Sequence, residues 1–214
     1  MKSYSEYRAQ ARETLHGTWN ESAVLFLIIT IVPFIFGGVS ELIPPCKQVL
    51  LYSVSGLSVV VSLLLTTPMQ YGAINSLLQL TRGESNGVLR DGLNLFCKDY
   101  SRNVPAIFLS FLAELGLGLV TLFIGAVILE YAYAMVPYLL RDYPELTAKE
   151  ALRTSREMMR GHKWDLFVLD LTFLGWYLLG ILTLGIAYLW VMPYQHTAHA
   201  HFYEDLKAAT IVEE

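Results

Sequence analysis

The chain has 214 residues, of which 54% are hydrophobic and only 16% charged, with a net charge of −4. Soluble domains carry about 25% charged residues, and a domain of this length needs a largely polar surface around its core. The composition therefore argues against an ordinary soluble domain. The two cysteines supply neither a disulfide framework nor a metal-binding spacing.

The apolar residues are concentrated in long segments. A membrane-spanning helix needs ~20 mostly apolar residues to cross ~30 Å of hydrocarbon, and four segments have that length: 23–42, 49–80, 104–140 and 164–203. The last two are too long for one crossing, so we expect each to form a hairpin, turning near Gly125 and near 183–185. The sequence thus predicts an all-α bundle of six transmembrane helices in three hairpins.

The basic residues predict the orientation of this bundle. All of the 15 Lys and Arg residues except Lys47 lie before the first span, after the last, or in the connections between the hairpins. Short cytoplasmic segments of membrane proteins retain Lys and Arg. We therefore expect a multi-pass protein with both termini in the cytoplasm.

Two polar segments that precede hairpins have the pattern of amphipathic helices. Ser3-x-x-Glu6 and Thr147-x-x-Glu150 are capping boxes, which start helices. In the second segment four basic residues share one helix face at steps of four, three and four: Lys149, Arg153, Arg156 and Arg160. We predict that this face binds anionic lipid head groups. The alternative is that these residues only hold the segment in the cytoplasm during insertion.

The chain, which we interpret as a single membrane domain, also shows a weak internal repeat. Each unit has a polar amphipathic segment, a span, a turn and a returning span, with boundaries at about 1–81, 82–141 and 142–214. The returning spans each contain a proline, at Pro68, Pro137 and Pro193. A proline leaves a helical carbonyl without its partner, so each could kink its helix or simply be tolerated in the bundle.

Three acidic residues lie inside predicted spans: Glu114, Glu130 and Asp170. A carboxylate within a bilayer costs at least ~2.5 kcal/mol on insertion scales, so such a group should face the bundle interior or a wet cavity. We predict that the three acids line a substrate or ion pocket. The alternative is a structural acid that is hydrogen-bonded to a neighbouring tyrosine or serine.

No catalytic motif is recognisable in the sequence. His196 and His199 share a helix face, but two histidines do not fill a zinc site, so they are weak metal candidates and we expect no metal and no cofactor. The basic residues lie close to span ends, within reach of the lipid surface, which disfavours nucleic-acid binding.

Several motifs of the last third occur together: Gly161-His162-Lys163-Trp164, Gly175-Trp176, Pro193-Tyr194 and Phe202-Tyr203. With Pro137-Tyr138 upstream and, loosely, Trp19, they resemble the domain of unknown function 975 family of uncharacterised bacterial integral membrane proteins. The chain departs from that pattern at Gly125, where Phe-Ile-Gly replaces an Ile-Pro-Gly turn, and at Asp170, where an apolar or small residue is expected. The resemblance implies a multi-span protein of a bacterial inner membrane and supplies no activity.

These features favour a protein that binds or translocates a small or lipidic substrate, with membrane lipids, some of them anionic, as partners. A different class is also compatible, namely a non-catalytic scaffold or regulatory subunit for partner membrane proteins, and a homo-oligomer would fit either class. A membrane-embedded lipid enzyme is the third hypothesis.

The native cysteines test the predicted topology. Cys46 lies in a predicted external loop and Cys97 in a cytoplasmic one. A membrane-impermeant maleimide applied to intact cells should modify Cys46 and spare Cys97, as read by mass spectrometry of the purified protein. Equal labelling of the two, or the reverse pattern, would contradict the six-span arrangement.

Overall fold

The computed structural model describes the backbone of residues 2–41, 48–85, 87–120 and 124–212. It describes the side chains in these ranges except at 33–41, 48–63, 95–102, 114–120, 124 and 210–212. The described chain is helical and contains no strand, which confirms the all-α class. Its helices are α1 (Tyr4–Thr14), α2 (Trp19–Glu41), α3 (Gln48–Thr81), α4 (Val88–Val120), α5 (Ile124–Tyr133), α6 (Val136–Asp142), α7 (Ala148–Met158), α8 (Lys163–Leu171), α9 (Leu174–Leu182) and α10 (Tyr188–Val212).

The turns of the two predicted hairpins differ in outcome. The turn at 183–185 is confirmed: it separates α9 from α10, with Leu184 and Gly185 at positive φ angles of 51° and 93°. The turn predicted near Gly125 stays a prediction: α4 ends at Val120 and α5 begins at Ile124, and residues 121–123 between them lie outside the described residues. Gly125 itself lies in the first turn of α5.

The three prolines occupy two kinds of position. Pro68 lies inside α3 and Pro193 inside α10. Pro137 lies in the first turn of α6, just after the break that separates α6 from α5. A proline is well tolerated there because the first backbone N–H groups of a helix have no partner within it.

No single helix among the described residues is both long and apolar enough to cross a membrane. Two bent pairs pass the same test of length and composition. One is Tyr4–Thr14 with Trp19–Val32, bent by 97°, and the other is Lys163–Leu171 with Leu174–Leu182, bent by 41°. The structure thus establishes the helices of the bundle, and the number of crossings stays a prediction.

Both predicted capping boxes are present. Ser3 accepts a hydrogen bond from the backbone of Glu6, whose carboxylate accepts one from the Ser3 backbone in return. Thr147 and Glu150 form the same reciprocal pair at the start of α7. Each box satisfies backbone donors that the first turn of a helix leaves open, so α1 and α7 begin at the predicted residues.

The largest buried apolar cluster includes the face of α1 that packs on α10. Tyr7 and Ala11 of α1 are buried, and the Tyr7 ring lies 5.6 Å from the Phe202 ring between centroids. The Tyr7 hydroxyl donates to an Asp205 carboxylate oxygen at 2.9 Å. α1 is thereby fixed across the C-terminal half of α10.

Asp142, at the end of α6, connects three helices. Arg82, just after α3, donates to both of its carboxylate oxygens at 2.7 Å. From α10, Tyr203 donates at 2.8 Å and Lys207 at 2.6 Å, while Arg82 also pairs with Glu204 at 2.6 Å. The side chain of Asp142 is only 6% exposed. Burial alone would raise the pKa of Asp142, but the hydrogen bonds from Arg82, Lys207 and Tyr203 lower it to about 2.

We predict that Asp142→Asn destabilises the protein by about 2–3 kcal/mol, because it leaves two cations without their shared carboxylate. The pKa of Asp142 falls from 3.8 to about 2 on folding, so its contribution is complete above about pH 4 and is lost as the pH falls toward 2. Thermal unfolding followed by circular dichroism should show this acid-dependent loss in the native protein and not in the variant. Glu145→Gln, at an exposed site, is the matched control, and equal melting temperatures for the two variants would contradict the prediction.

Candidate functional site

The four basic residues predicted from the α7 periodicity line one groove. The groove lies between α7 and α4, has a volume of about 540 Å³, and is bordered by Lys149, Arg153, Arg156 and Arg160. Ser155, on the opposite side of α7, is buried and donates to the carbonyl oxygen of Ala132 at 2.8 Å. This bond fixes the rotation of α7 about its axis, so its basic face is turned to the groove.

The electrostatic balance of the groove is positive. Glu157 is the one carboxylate among its described lining residues, and it accepts a hydrogen bond from Arg153 at 2.9 Å. Glu150 is engaged at the helix start, where hydrogen bonds from Thr147 lower its pKa. Arg156 donates to the Tyr133 hydroxyl, and its guanidinium carbon lies 5.5 Å from the centre of the Tyr133 ring. An anion entering the groove therefore meets several guanidinium donors, and one of them is already oriented.

The other wall of the groove is apolar. Leu109 and Ala113 of α4 and Leu152 of α7 line it. The planar guanidinium group of arginine can donate two parallel hydrogen bonds to the oxygens of a phosphate or carboxylate. The apolar wall, in contrast, suits a hydrocarbon chain. The groove therefore suits an anionic amphiphile, a molecule in which an anionic group and a hydrocarbon chain lie side by side.

A second polar cluster surrounds Asp170 of α8. Gln195 donates to Asp170 at 2.6 Å, and the Nε2 atom of His199 lies 2.6 Å from the same carboxylate oxygen. The Tyr131 hydroxyl donates to the other oxygen at 3.1 Å, and the Tyr177 hydroxyl donates to Gln195. The cluster connects α5, α8, α9 and α10, and the Asp170 side chain is 19% exposed.

The structure does not bring the three predicted intramembrane acids together as one described site. Glu130 is exposed on α5, whereas Asp170 is partly buried in the cluster above. Glu114 lies in α4, but its side chain is outside the described residues. The arrangement around Asp170 corresponds to the structural alternative, a carboxylate held by neighbouring hydrogen-bond donors.

The two histidines contact each other edge-on, with 6.2 Å between ring centroids, but they have different further partners. His199 faces Asp170, while the His196 ring stacks on Phe26 with 5.5 Å between centroids. Among the described residues no three His, Cys, Asp or Glu side chains are placed to share a metal ion. Sequence reasoning missed the pairing of His199 with Asp170, although both had been singled out, because the two residues are 29 positions apart and lie on different helices.

Residues 116–210 match the model of the family described as Protein of unknown function (DUF975). This segment is similar to the DUF975 family. The match confirms the resemblance carried by the last third of the chain, and it contains α7 and the Asp170 cluster. The resemblance at Trp19 lies outside the DUF975 segment. No curated protein and no solved structure matches the chain.

We predict that Asp170→Asn destabilises the DUF975 segment by about 1–3 kcal/mol, because it removes a charged acceptor that is shared by donors from two other helices. Glu130→Gln, the matched change at an exposed acid, should leave unfolding almost unchanged. Thermal denaturation of the solubilised variants measures both effects. If the two variants melt alike, the Asp170 cluster does not hold the helices together.

Proposed function

We propose that the protein is integral to a bacterial inner membrane and crosses it six times, with both termini in the cytoplasm. Exposed apolar side chains on α9 support this proposal, since Leu178, Ile181 and Leu182 are 55%, 65% and 79% exposed. Monomeric soluble proteins seldom expose contiguous apolar patches larger than a few hundred Å². Lipid acyl chains around this face of α9 would remove the free-energy cost of exposing it to water.

The bend between α1 and α2 also supports a membrane location. The two helices meet at 97°, the angle expected where one helix lies along the membrane surface and the next crosses it. An interfacial helix buries an apolar face and keeps basic residues at the head groups. Arg12 is exposed on α1 and would meet that region.

The function we propose is binding of an anionic phospholipid in the α7 groove. One observation carries this proposal: four basic side chains and an apolar wall border the same 540 Å³ groove. A phosphate would sit at Arg153, Arg156 and Arg160, and an acyl chain would follow Leu109 and Ala113 along α4. A lipidic substrate that is translocated would have the same chemistry and could enter through this groove.

The alternative function, a non-catalytic scaffold for partner membrane proteins, is favoured by a different observation. In the turn between α9 and α10, Leu184 is 95% exposed and Ile186 is 63% exposed. Leu184 also has a positive φ of 51°, which non-glycine residues rarely adopt. An exposed apolar turn of this kind suits contact with another apolar surface.

We predict that replacing Arg153, Arg156 and Arg160 together with Gln lowers the amount of anionic lipid retained several-fold. The protein would be reconstituted in vesicles that mix phosphatidylglycerol with phosphatidylcholine, extracted gently, and examined by native mass spectrometry. High salt should have the same effect as the substitutions, because exposed charges are screened over ~8 Å at physiological ionic strength.

Two controls distinguish lipid binding in the groove from an effect on membrane insertion and from the loss of any one positive charge. Arg90→Gln removes an exposed arginine that does not line the groove, and it should retain lipid normally. Soluble glycerol phosphate should compete poorly, because it cannot use the apolar wall. Unchanged lipid selectivity in the triple variant would show that the basic face of α7 only holds this segment in the cytoplasm during membrane insertion.

A further inference from the structure

A second cavity lies beside α1. It is a cleft of about 290 Å³, bordered by Trp19, Trp176, Trp190, Tyr194 and Arg12. Its accessible lining surface is apolar, with no polar contribution. This volume is near the lower end of the ~300–1,000 Å³ typical of ligand pockets, so the cleft can enclose part of a larger ligand, such as a length of acyl chain.

Aromatic contacts build the wall of this cleft. The Tyr194 ring lies 5.9 Å from Trp19, 6.1 Å from Trp176 and 4.9 Å from Phe173, and all three contacts are edge-on. The Tyr194 hydroxyl points away to the carbonyl oxygen of Arg8, to which it donates at 3.1 Å. Its polar atom is therefore satisfied outside the cleft, and the ring presents an apolar surface.

Two arginines lie one turn apart on α1, and one of them borders the cleft. Arg12 is exposed and lines the cleft, and the Arg8 guanidinium lies 5.6 Å from the centre of the Phe173 ring. The Nε atom of Arg8 is buried and has no hydrogen-bond partner among the described residues. The apolar cleft thus has positive charge at its edge.

α1 and α7 are equivalent in their local structure. Both have 11 residues, begin with a capping box, and are followed by a glycine at φ 89°, Gly17 or Gly161. The sequence separation of these two glycines is the same as that of the two N-caps. Arg12 and Arg156 also have this separation, and each lines the cavity beside its own helix.

We infer that the cleft beside α1 is a second lipid site, which holds an acyl chain of an anionic phospholipid whose phosphate contacts Arg12. The inference rests on the proposed membrane location and adds a site that differs from the α7 groove. The groove, with four basic residues, recognises the head group. The cleft, with three tryptophans and one lining arginine, recognises the chain.

Tryptophan fluorescence tests this site directly. Three of the four tryptophans border the cleft, and Trp164→Phe removes the remaining one. The Trp164→Phe protein would be placed in phosphatidylcholine vesicles that contain a small fixed fraction of one brominated lipid. In one sample this lipid is brominated phosphatidylglycerol, and in the other it is brominated phosphatidylcholine. Bromine on the acyl chains quenches the fluorescence of nearby indole rings. We expect phosphatidylglycerol to quench about fivefold more effectively, the equivalent of ~1 kcal/mol per cation at an anionic lipid.

Arg12→Gln should abolish this preference for phosphatidylglycerol, while Arg90→Gln should preserve it. Ala187 also lines the cleft, so Ala187→Leu narrows it without changing charge and should reduce quenching by the bound chain. This variant keeps the test valid if Arg12→Gln fails to fold. In the triple variant of the α7 groove (Arg153, Arg156 and Arg160 to Gln), the tryptophan fluorescence should be quenched normally even though this variant retains less lipid. Equal quenching by the two brominated lipids would overturn the second site, and loss of the preference in the groove variant would assign the signal to the groove.

Discussion

The buried carboxylate of Asp142 constrains the whole bundle. Its desolvation is offset by hydrogen bonds from Arg82, Tyr203 and Lys207, which bring the ends of α3 and α6 against the C-terminal half of α10. The two candidate lipid sites depend on this junction. The position of α10 determines where α1 packs, and the position of α6 determines where α7 packs.

The three predicted repeat units contact one another around this junction. α1 packs on α10, the start of α4 packs on α3, and α7 packs on α6, so the leading helix of each unit contacts the returning helix of the unit before it. Gly92 of α4 shows how closely α4 is packed, because a Cβ atom there would lie 3.4 Å from Ser76 of α3 and 2.7 Å from Leu25 of α2. This order is the one that a repeated unit would produce, and we propose it as the physical basis of the weak repeat in the sequence.

Local patterns predicted the starts of α1 and α7, because a capping box is contained within one helical turn. The pairs that hold the bundle could not be predicted in this way. Asp142 is 60 residues from Arg82 and 65 from Lys207, and no periodicity connects them. Only one wall of the candidate groove could be predicted from the sequence. The spacing of the α7 arginines predicted the charged wall, whereas Leu109 lines the groove only because α4 packs on α7.

Burial decides which ion pairs hold the fold and which are available to a ligand. The carboxylate of Asp142 is 6% exposed and is shared by two cations, so releasing it would leave buried charge unpaired. Arg153 and Glu157 form a pair of the same chemical type, but their side chains are 80% and 59% exposed. Water already solvates both ends of that pair, so it contributes little to stability. A phosphate that replaced Glu157 at Arg153 would leave the Asp142 junction intact. The basic residues that reach Asp142 stabilise the fold, and we propose that the exposed ones on α7 bind a ligand.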